Sequence, residues 1–308
     1  MINFVFSKFR LMQNLKPKDT FFSKNFSLNI KGKLLDLSVP RVMGILNLSP
    51  DSFYDGGKYS TKDEIKKRVD QIIEEGAKII DVGAVSTRPG AKVISYKEEL
   101  DRLVPAMEII RKNYPDFPVS VDTFTPETAE KMILEFEADI INDITAGGES
   151  GKMFEIIAEH NIPYIIMHMK GQPSTMQKNP EYKDIVDEIL IFLAEKTYKL
   201  KSLGVNDIII DPGFGFGKNI DHNYQLLTFL ECFRSLELPI LVGLSRKSMI
   251  YQLLSLEPEQ SLNGTTALHM FALQKGANII RAHDIKEAVE VCNLYSKISN
   301  TCDQSRIK

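Results

Sequence analysis

Residues 42–57, VMGILNLSPDSFYDGG, decide how this chain folds. A short apolar run stops abruptly at Asn47. A loop of hydroxyls, two aspartates and the pair Gly56-Gly57 follows, with Phe53 and Tyr54 near its tip. An uninterrupted apolar run suits a strand of a parallel sheet, which is covered on both faces. Such a strand delivers the polar residue at its end to the rim of the sheet. The loop beyond it is the kind of mobile segment on a rigid scaffold where binding and chemistry concentrate.

The same design returns along the chain. KIIDVG (78–83) carries Asp81, PVSVDT (118–123) carries Asp122 and Thr123, and DIINDI (139–144) carries Asn142 and Asp143. PYIIMHM (163–169) carries His168 and DIIIDPG (207–213) carries Asp211. PILVGLSRK (239–247) ends in Ser245-Arg246-Lys247, and NIIRAHD (278–284) in Arg281, His283 and Asp284. With the opening run that makes eight. Helical patterns lie between them. Thr61 and Glu64 have the spacing of a capping box. Ile65, Val69, Ile72 and Ile73 then mark one helix face, closed by Gly76. Thr125 suits an N-cap with Pro126 at the first helical position. The entries EGAKIID (75–81) and KGANIIR (275–281) echo each other, as a repeated helix–turn–strand unit would.

Eight such units without a composition break predict one α/β domain, a single (β/α)8 TIM barrel over residues 26–296. A doubly wound open sheet is the alternative, but it uses fewer strands and a glycine fingerprint in its first turn. Residues 26–38 alternate around Lys31-Gly32-Lys33, which predicts an N-terminal β-hairpin plugging the barrel bottom. Residues 1–25 read as a poorly ordered extension, with a targeting peptide or a start at Met12 as alternatives. Residues 297–308 read as a C-terminal tail.

Composition bounds the function. The 308 residues are 43% apolar and 26% charged, with a net charge of −3. That balance gives no global attraction to nucleic acid or anionic membrane, so any anion site must be local. No apolar run is long enough to span a membrane. The three cysteines lack metal-ligand spacing, and an odd, sparse count fits the cytoplasm.

In a barrel every polar strand end converges on the C-terminal rim. The sequence brings there Asp122, Asn142 and Asp211, together with Arg88, Arg246, Lys247 and Arg281, and His283 beside the last. Carboxylates and amides suit a ligand with several N–H donors and ring acceptors. Arginine and lysine near the mouth suit a phosphate or diphosphate. The plain alternatives are that Asp143 and Asp284 face out or cap helices, and that His168 is structural. His160, His222 and His269 read as helix or loop residues. GFGFGK (213–218) fits neither the Rossmann nor the Walker template. It reads instead as a mobile loop presenting Phe214 or Phe216 to an aromatic substrate.

Taken together, these motifs resemble the dihydropteroate synthase family from about residue 26 to 292. They are MGILNLSPDSFYDGG (43–57), DVGAVSTRPGA (81–91), VSVDT (119–123), INDI (141–144), MHMKGQPSTMQ (167–177), DPGFGFGK (211–218), SRKS (245–248) and RAHD (281–284). The resemblance implies condensation of 6-hydroxymethyl-7,8-dihydropterin diphosphate with 4-aminobenzoate, releasing diphosphate. It implies that Asp122, Asn142, Ile144, Asp211 and Lys247 hold the pterin. Asn47, Thr87, Arg88, Arg281 and His283 would hold the diphosphate, with Mg2+ shared between Asn47 and that group. Phe53, Pro89, Phe216, Ser245 and Arg246 would line the 4-aminobenzoate pocket. Asp122, Asp211, Lys247 and Asp55 would carry the catalytic roles, the loops 48–58 and 83–92 acting as lids. A cytoplasmic homodimer joined through the late helices is also implied. Ala84 and Val85 stand where the family often has glycine and glutamate, which leaves the polar contacts of that strand end open. A pterin-binding methyltransferase would share the pterin acids without needing a diphosphate site. A non-catalytic pterin-binding barrel would be expected to lose Asn47, Lys247 or His283.

Overall fold

The computed structural model describes residues 26–49, 61–86, 94–171, 176 and 180–306. Strands β1 (Ser27–Ile30) and β2 (Lys33–Asp36) pair antiparallel around Lys31 and Gly32, as the alternation predicts. Both turn residues have positive φ, +49° and +81°. Each of the eight apolar runs then supplies a parallel strand. These are β3 (Arg41–Asn47), β4 (Ile79–Gly83), β5 (Val119–Asp122), β6 (Ile140–Asp143), β7 (Tyr164–Met167), β8 (Ile208–Asp211), β9 (Leu241–Val242) and β10 (Ile279–Ala282).

Their order is β8-β7-β6-β5-β4-β3-β10-β9. A parallel bridge between Ile210 and Ile240 joins the two ends. An open sheet would have left two edges of unpaired N–H and C=O groups. Closure therefore excludes the doubly wound alternative.

The strands separate two apolar layers. Outward residues such as Val42, Ile80, Val121 and Ile166 pack against the helices in the larger core. Inward residues near the strand starts, Met43, Ile79, Ile140, Ile165, Ile209, Leu241 and Ile279, form a second core. Leu28, Ile30 and Leu37 of the hairpin segment complete that core and plug the barrel floor.

The predicted helix signals are present. Thr61 Oγ1 accepts the Glu64 N–H at 3.3 Å, and Glu64 Oε2 accepts the Thr61 N–H at 3.0 Å. The helix Lys62–Glu74 then buries Ile65, Val69 and Ile72, and Gly76 follows at φ +99°. Thr125 and Pro126 open the helix Pro126–Phe136, but the Thr125 side chain makes no capping bond. Its N–H donates to Thr123 Oγ1 instead, at 3.1 Å. The final helix runs unbroken from Ile285 to Arg306, so no element boundary falls at residue 297. The predicted tail is helical through most of its length, because nothing in ISNTCDQSR breaks a helix. Residues 1–25 lie outside the described residues.

Candidate active site at the barrel rim

Strand register brings the predicted rim residues level. Asn47 lies opposite Gly83, Gly83 opposite Asp122, and Asp122 opposite Asn142. Asp211 lies opposite Met167 on the far side of the barrel. Above this row opens a cavity of about 800 Å³. Its wall includes Asn47, Asp122, Phe216, Ser245, Arg246, Lys247, Arg281 and His283. Asn142, Ile144 and Asp211 are buried strand-end residues outside that wall. Phe53, Asp55, Thr87, Arg88 and Pro89, with most of both predicted lids, lie outside the described residues.

Three charges meet beneath the cavity. Arg281 donates from Nε to Asp81 Oδ2 at 2.6 Å and from Nη2 to Asp122 Oδ2 at 2.8 Å. Asn142 Nδ2 also donates to Asp81 Oδ2, at 3.2 Å. Arg281 therefore spends two donors on carboxylates rather than leaving its whole fork for an anion. Asp81 is completely buried, and its Oδ1 has no hydrogen-bond partner among the described residues. Burial pushes the Asp122 carboxyl up to about 7, with Arg281 opposing and Asp81 adding to the rise. Burial raises Asp211 as well, with Lys247 and the Gly213 N–H pulling the other way.

GFGFGK behaves differently from the prediction. Gly213, Gly215 and Gly217 all have positive φ. A Cβ on Gly213 would stand 1.9 Å from the His168 carbonyl oxygen, and one on Gly217 would stand 2.3 Å from that of Lys170. The glycines permit these close approaches. Phe214 is fully buried in the outer core, so Phe216 alone of the two is placed to meet a ligand by its ring. Lys218 is also buried. Its Nζ donates to the carbonyls of Gly213 at 2.7 Å and Phe216 at 3.0 Å, and lies 3.2 Å from His168 Nδ1. Burial first, then Lys218, pushes His168 down to about 3, so its ring stands neutral beside the lysine. Tyr182 adds a bond from its hydroxyl to the Gly217 carbonyl at 2.8 Å. The loop is thus a pinned structure whose carbonyls face inward onto the Lys218 amine, which burial pushes well below its usual range, the reverse of a phosphate loop.

Lys247 completes this set. Its Nζ donates to the Phe214 carbonyl and lies 4.9 Å from the centre of the Phe216 ring. Burial brings its amine down to about 8, Asp211 resisting that fall. Ser245 Oγ accepts the His283 N–H at 3.3 Å. Arg246 lines the cavity, but its guanidinium is held by Asp284, from Nε at 2.9 Å and Nη2 at 2.6 Å. Asp284 consequently faces in and does not simply cap a helix. Asp143 is also buried, accepting from Thr145, Gly147 and the Tyr164 hydroxyl, the last at 2.5 Å. His222 lies in a capping box and His269 is buried on the helix Leu262–Gln274. Ala84 is buried with its carbonyl accepting from Arg102 Nη1 at 2.8 Å, and Val85 gives the cavity an apolar wall.

Three contributors went unassigned in the sequence. Asp81 stood at a strand end like the others, two residues below Gly83, so its inward direction was legible. Lys218 was hidden by its resemblance to a failed phosphate motif. Arg68 shares the buried face of the helix Lys62–Glu74 and donates from Nη2 to the His283 carbonyl at 2.9 Å. Its place between Ile65 and Ile72 on the apolar stripe was the available signal.

Comparison with known proteins identifies the family of the fold. Residues 43–283 match the pterin binding enzyme family. The dihydropteroate synthase of Escherichia coli K12 is 46% identical over 278 residues, covering 90% of this chain and 98% of its own. That of Haemophilus influenzae is 42% identical over 280 residues, covering 89% and 99%. Among solved structures, Yersinia pestis dihydropteroate synthase with a sulfonamide drug superposes with a TM-score of 0.85 at 42% identity, covering 89% of this chain and all of that one. The family match over residues 43–283, together with near full-length similarity to these enzymes, places this chain in the dihydropteroate synthase family of pterin-binding enzymes.

Proposed function

We propose that this chain joins 6-hydroxymethyl-7,8-dihydropterin diphosphate to 4-aminobenzoate, giving 7,8-dihydropteroate and diphosphate. The observation that carries the reading is the charge order of the rim. Asp211 is buried at a strand end, while Asp122 stands at the cavity wall with Arg281, Lys247 and His283. This order matches a heterocycle rich in N–H donors that carries an anionic arm. Relatives support the second substrate: the Xanthomonas albilineans and Thermus thermophilus enzymes were solved with 4-aminobenzoic acid and 4-aminobenzoate.

On this reading Asp122, Asn142, Asp211 and Lys247 hold the pterin, with Ile144 against its face. Asn47, Thr87, Arg88, Arg281 and His283 hold the diphosphate. The methylene C–O bond breaks first and its electron pair leaves on the diphosphate oxygen. Positive charge spreads over the pterin-methyl group, where ionised Asp122 and Asp211 stabilise it. Asp55 acts on the same cation from the first loop. The neutral amine of 4-aminobenzoate then forms the C–N bond and sheds a proton. Phe53, Pro89, Phe216, Ser245 and Arg246 surround that amine. No enzyme nucleophile takes part.

Asn47 Oδ1 already accepts the Ser49 N–H at 3.0 Å, and a carbonyl oxygen retains a second lone pair. No group of three or more His, Cys, Asp or Glu poised for a metal occurs among the described residues. One neutral oxygen fits a hard cation that keeps water and phosphate oxygens as its other ligands. Mg2+, when bound through Asn47, supplies charge neutralisation to the diphosphate.

The late helices Leu262–Gln274 and Ile285–Arg306 expose Phe271, Leu294 and Ile298, which supports a homodimer through that side. No helix among the described residues is long and apolar enough to cross a membrane. Sparse cysteines, with Cys232 and Cys292 free, support the cytoplasm. The test is direct: purified protein, pterin diphosphate, 4-aminobenzoate and Mg2+ should yield dihydropteroate with one equivalent of diphosphate. Pterin binding without that product would leave the non-catalytic reading standing in its place.

A further inference from the structure

Arg68 is a buried cation whose charge no carboxylate among the described residues balances. It is 6% exposed on the inner face of the helix Lys62–Glu74. Its Nη2 donates to the His283 carbonyl at 2.9 Å, and its Nε has no acceptor among the described residues. No carboxylate among the described residues pairs with it within 4.0 Å. Other well-covered arginines differ. Arg281 has Asp81 and Asp122, Arg246 has Asp284, and Arg111 has Asp139.

A guanidinium removed from water and given only a carbonyl dipole is costly to bury. The cost is offset when an anion arrives within the range of a poorly screened field. His283 stands between Arg68 and the cavity. Its backbone is clamped on both sides, the carbonyl by Arg68 and the N–H by Ser245 Oγ. We infer that Arg68 is a positioning residue for the diphosphate: it fixes His283 at the cavity wall and adds a positive charge behind it that the bound diphosphate balances. This rests on the diphosphate reading given above. The plain alternative is a staple between the first helix and the end of β10, important only for stability.

The two differ in what they move. Arg68→Met and Arg68→Lys are made in the full chain, with His283→Ala as the reference for the diphosphate reading. Inhibition by inorganic diphosphate, the KM of each substrate and the thermal midpoint are measured. Arg68→Met should weaken diphosphate inhibition and raise the KM for pterin diphosphate by about tenfold, the scale of one poorly screened charge. The KM for 4-aminobenzoate should stay within about twofold, since that substrate lacks the diphosphate whose charge is at issue. The thermal midpoint should hold or rise, because an unbalanced buried charge has gone, and Arg68→Lys should restore most of the diphosphate inhibition. Unchanged inhibition in Arg68→Met, with inhibition lost in His283→Ala, would overturn the inference and leave the diphosphate reading intact. Unchanged inhibition in both would overturn the two together. A lower midpoint with equal rises in both KM values would make Arg68 a staple and overturn the inference.

Discussion

At the floor of the barrel, Leu28, Ile30 and Leu37 meet a ring of Met43, Ile79, Ile140, Ile165, Ile209, Leu241 and Ile279. At the rim, the same strands end in Asp81, Asp122, Arg281 and Asn142, joined by hydrogen bonds beneath an open cavity. The floor is apolar and closed, so its burial is net favourable. The rim buries charges that are paired but costly to desolvate. One end of each strand therefore supplies stability and the other spends part of it on chemistry.

The comparison breaks most visibly at Lys247. On the proposed reading, Lys247→Ala should lower kcat/KM by about 10³-fold, the scale of one preorganised electrostatic group. Asp122→Ala should do the same. The thermal midpoint of the Lys247 variant should hold, since a buried cation has been removed. Steady-state kinetics and calorimetry on the same preparation check this. Wild-type turnover in either variant would remove that residue from the mechanism.

At the floor the expectation inverts. Leu37 is fully buried at the junction of hairpin and barrel. Leu37→Ala should cost about 3 kcal/mol, the middle of the range for a large core deletion. Specific activity of the folded fraction should stay at wild type. A loss of activity without a loss of stability would mean that the floor reaches the site.

Lys218 sharpens the comparison, because it is a structural residue at the chemical end. Lys218→Met leaves the Phe216 carbonyl without its Lys218 donor and the Gly213 carbonyl with the Phe216 N–H alone. That should cost about 2 kcal/mol, the scale of two lost hydrogen bonds in a covered loop. Freeing Phe216 should also raise the KM for 4-aminobenzoate. Urea unfolding and steady-state kinetics read the two effects, and an unchanged unfolding midpoint would show that the carbonyls find other donors.

Most of the barrel was legible because its signals are local. Eight apolar runs, the Thr61–Glu64 box and the Lys31-Gly32 turn each report one element from consecutive residues. The identity of the rim residues was legible too, since parallel strands must end on one face. Their partners were not. Arg281 and Asp81 are separated by 200 positions, and only β3, lying between β10 and β4, brings them together. GFGFGK misled for a related reason. Glycine spacing shows where backbone comes close, but not whether N–H groups or carbonyls face the approaching partner. Only the position of Lys218 Nζ settles that.

The smallest expected effect concerns pH and tests why the two ends must differ. Burial raises Asp122 to about 7 and lowers Lys247 to about 8. If both work as ions, kcat/KM for pterin diphosphate should fall up to tenfold per unit, roughly, on each side of that interval. Asp122→Asn should remove the acid limb from whatever activity remains. The stability signs run the other way. Asp122, with a raised folded value, contributes stability that is present below its unfolded value of 3.8 and lost as pH rises through about 7. Lys247, with a lowered one, regains stability only as pH climbs from about 8 toward 10.5. Between the two values both penalties apply in full, just where both residues carry charge. Lys247→Met should therefore gain on the wild type in thermal midpoint below about pH 8, and that gain should shrink toward pH 10.5. A gain independent of pH would mean that packing, and not the charge of Lys247, sets the cost of the rim.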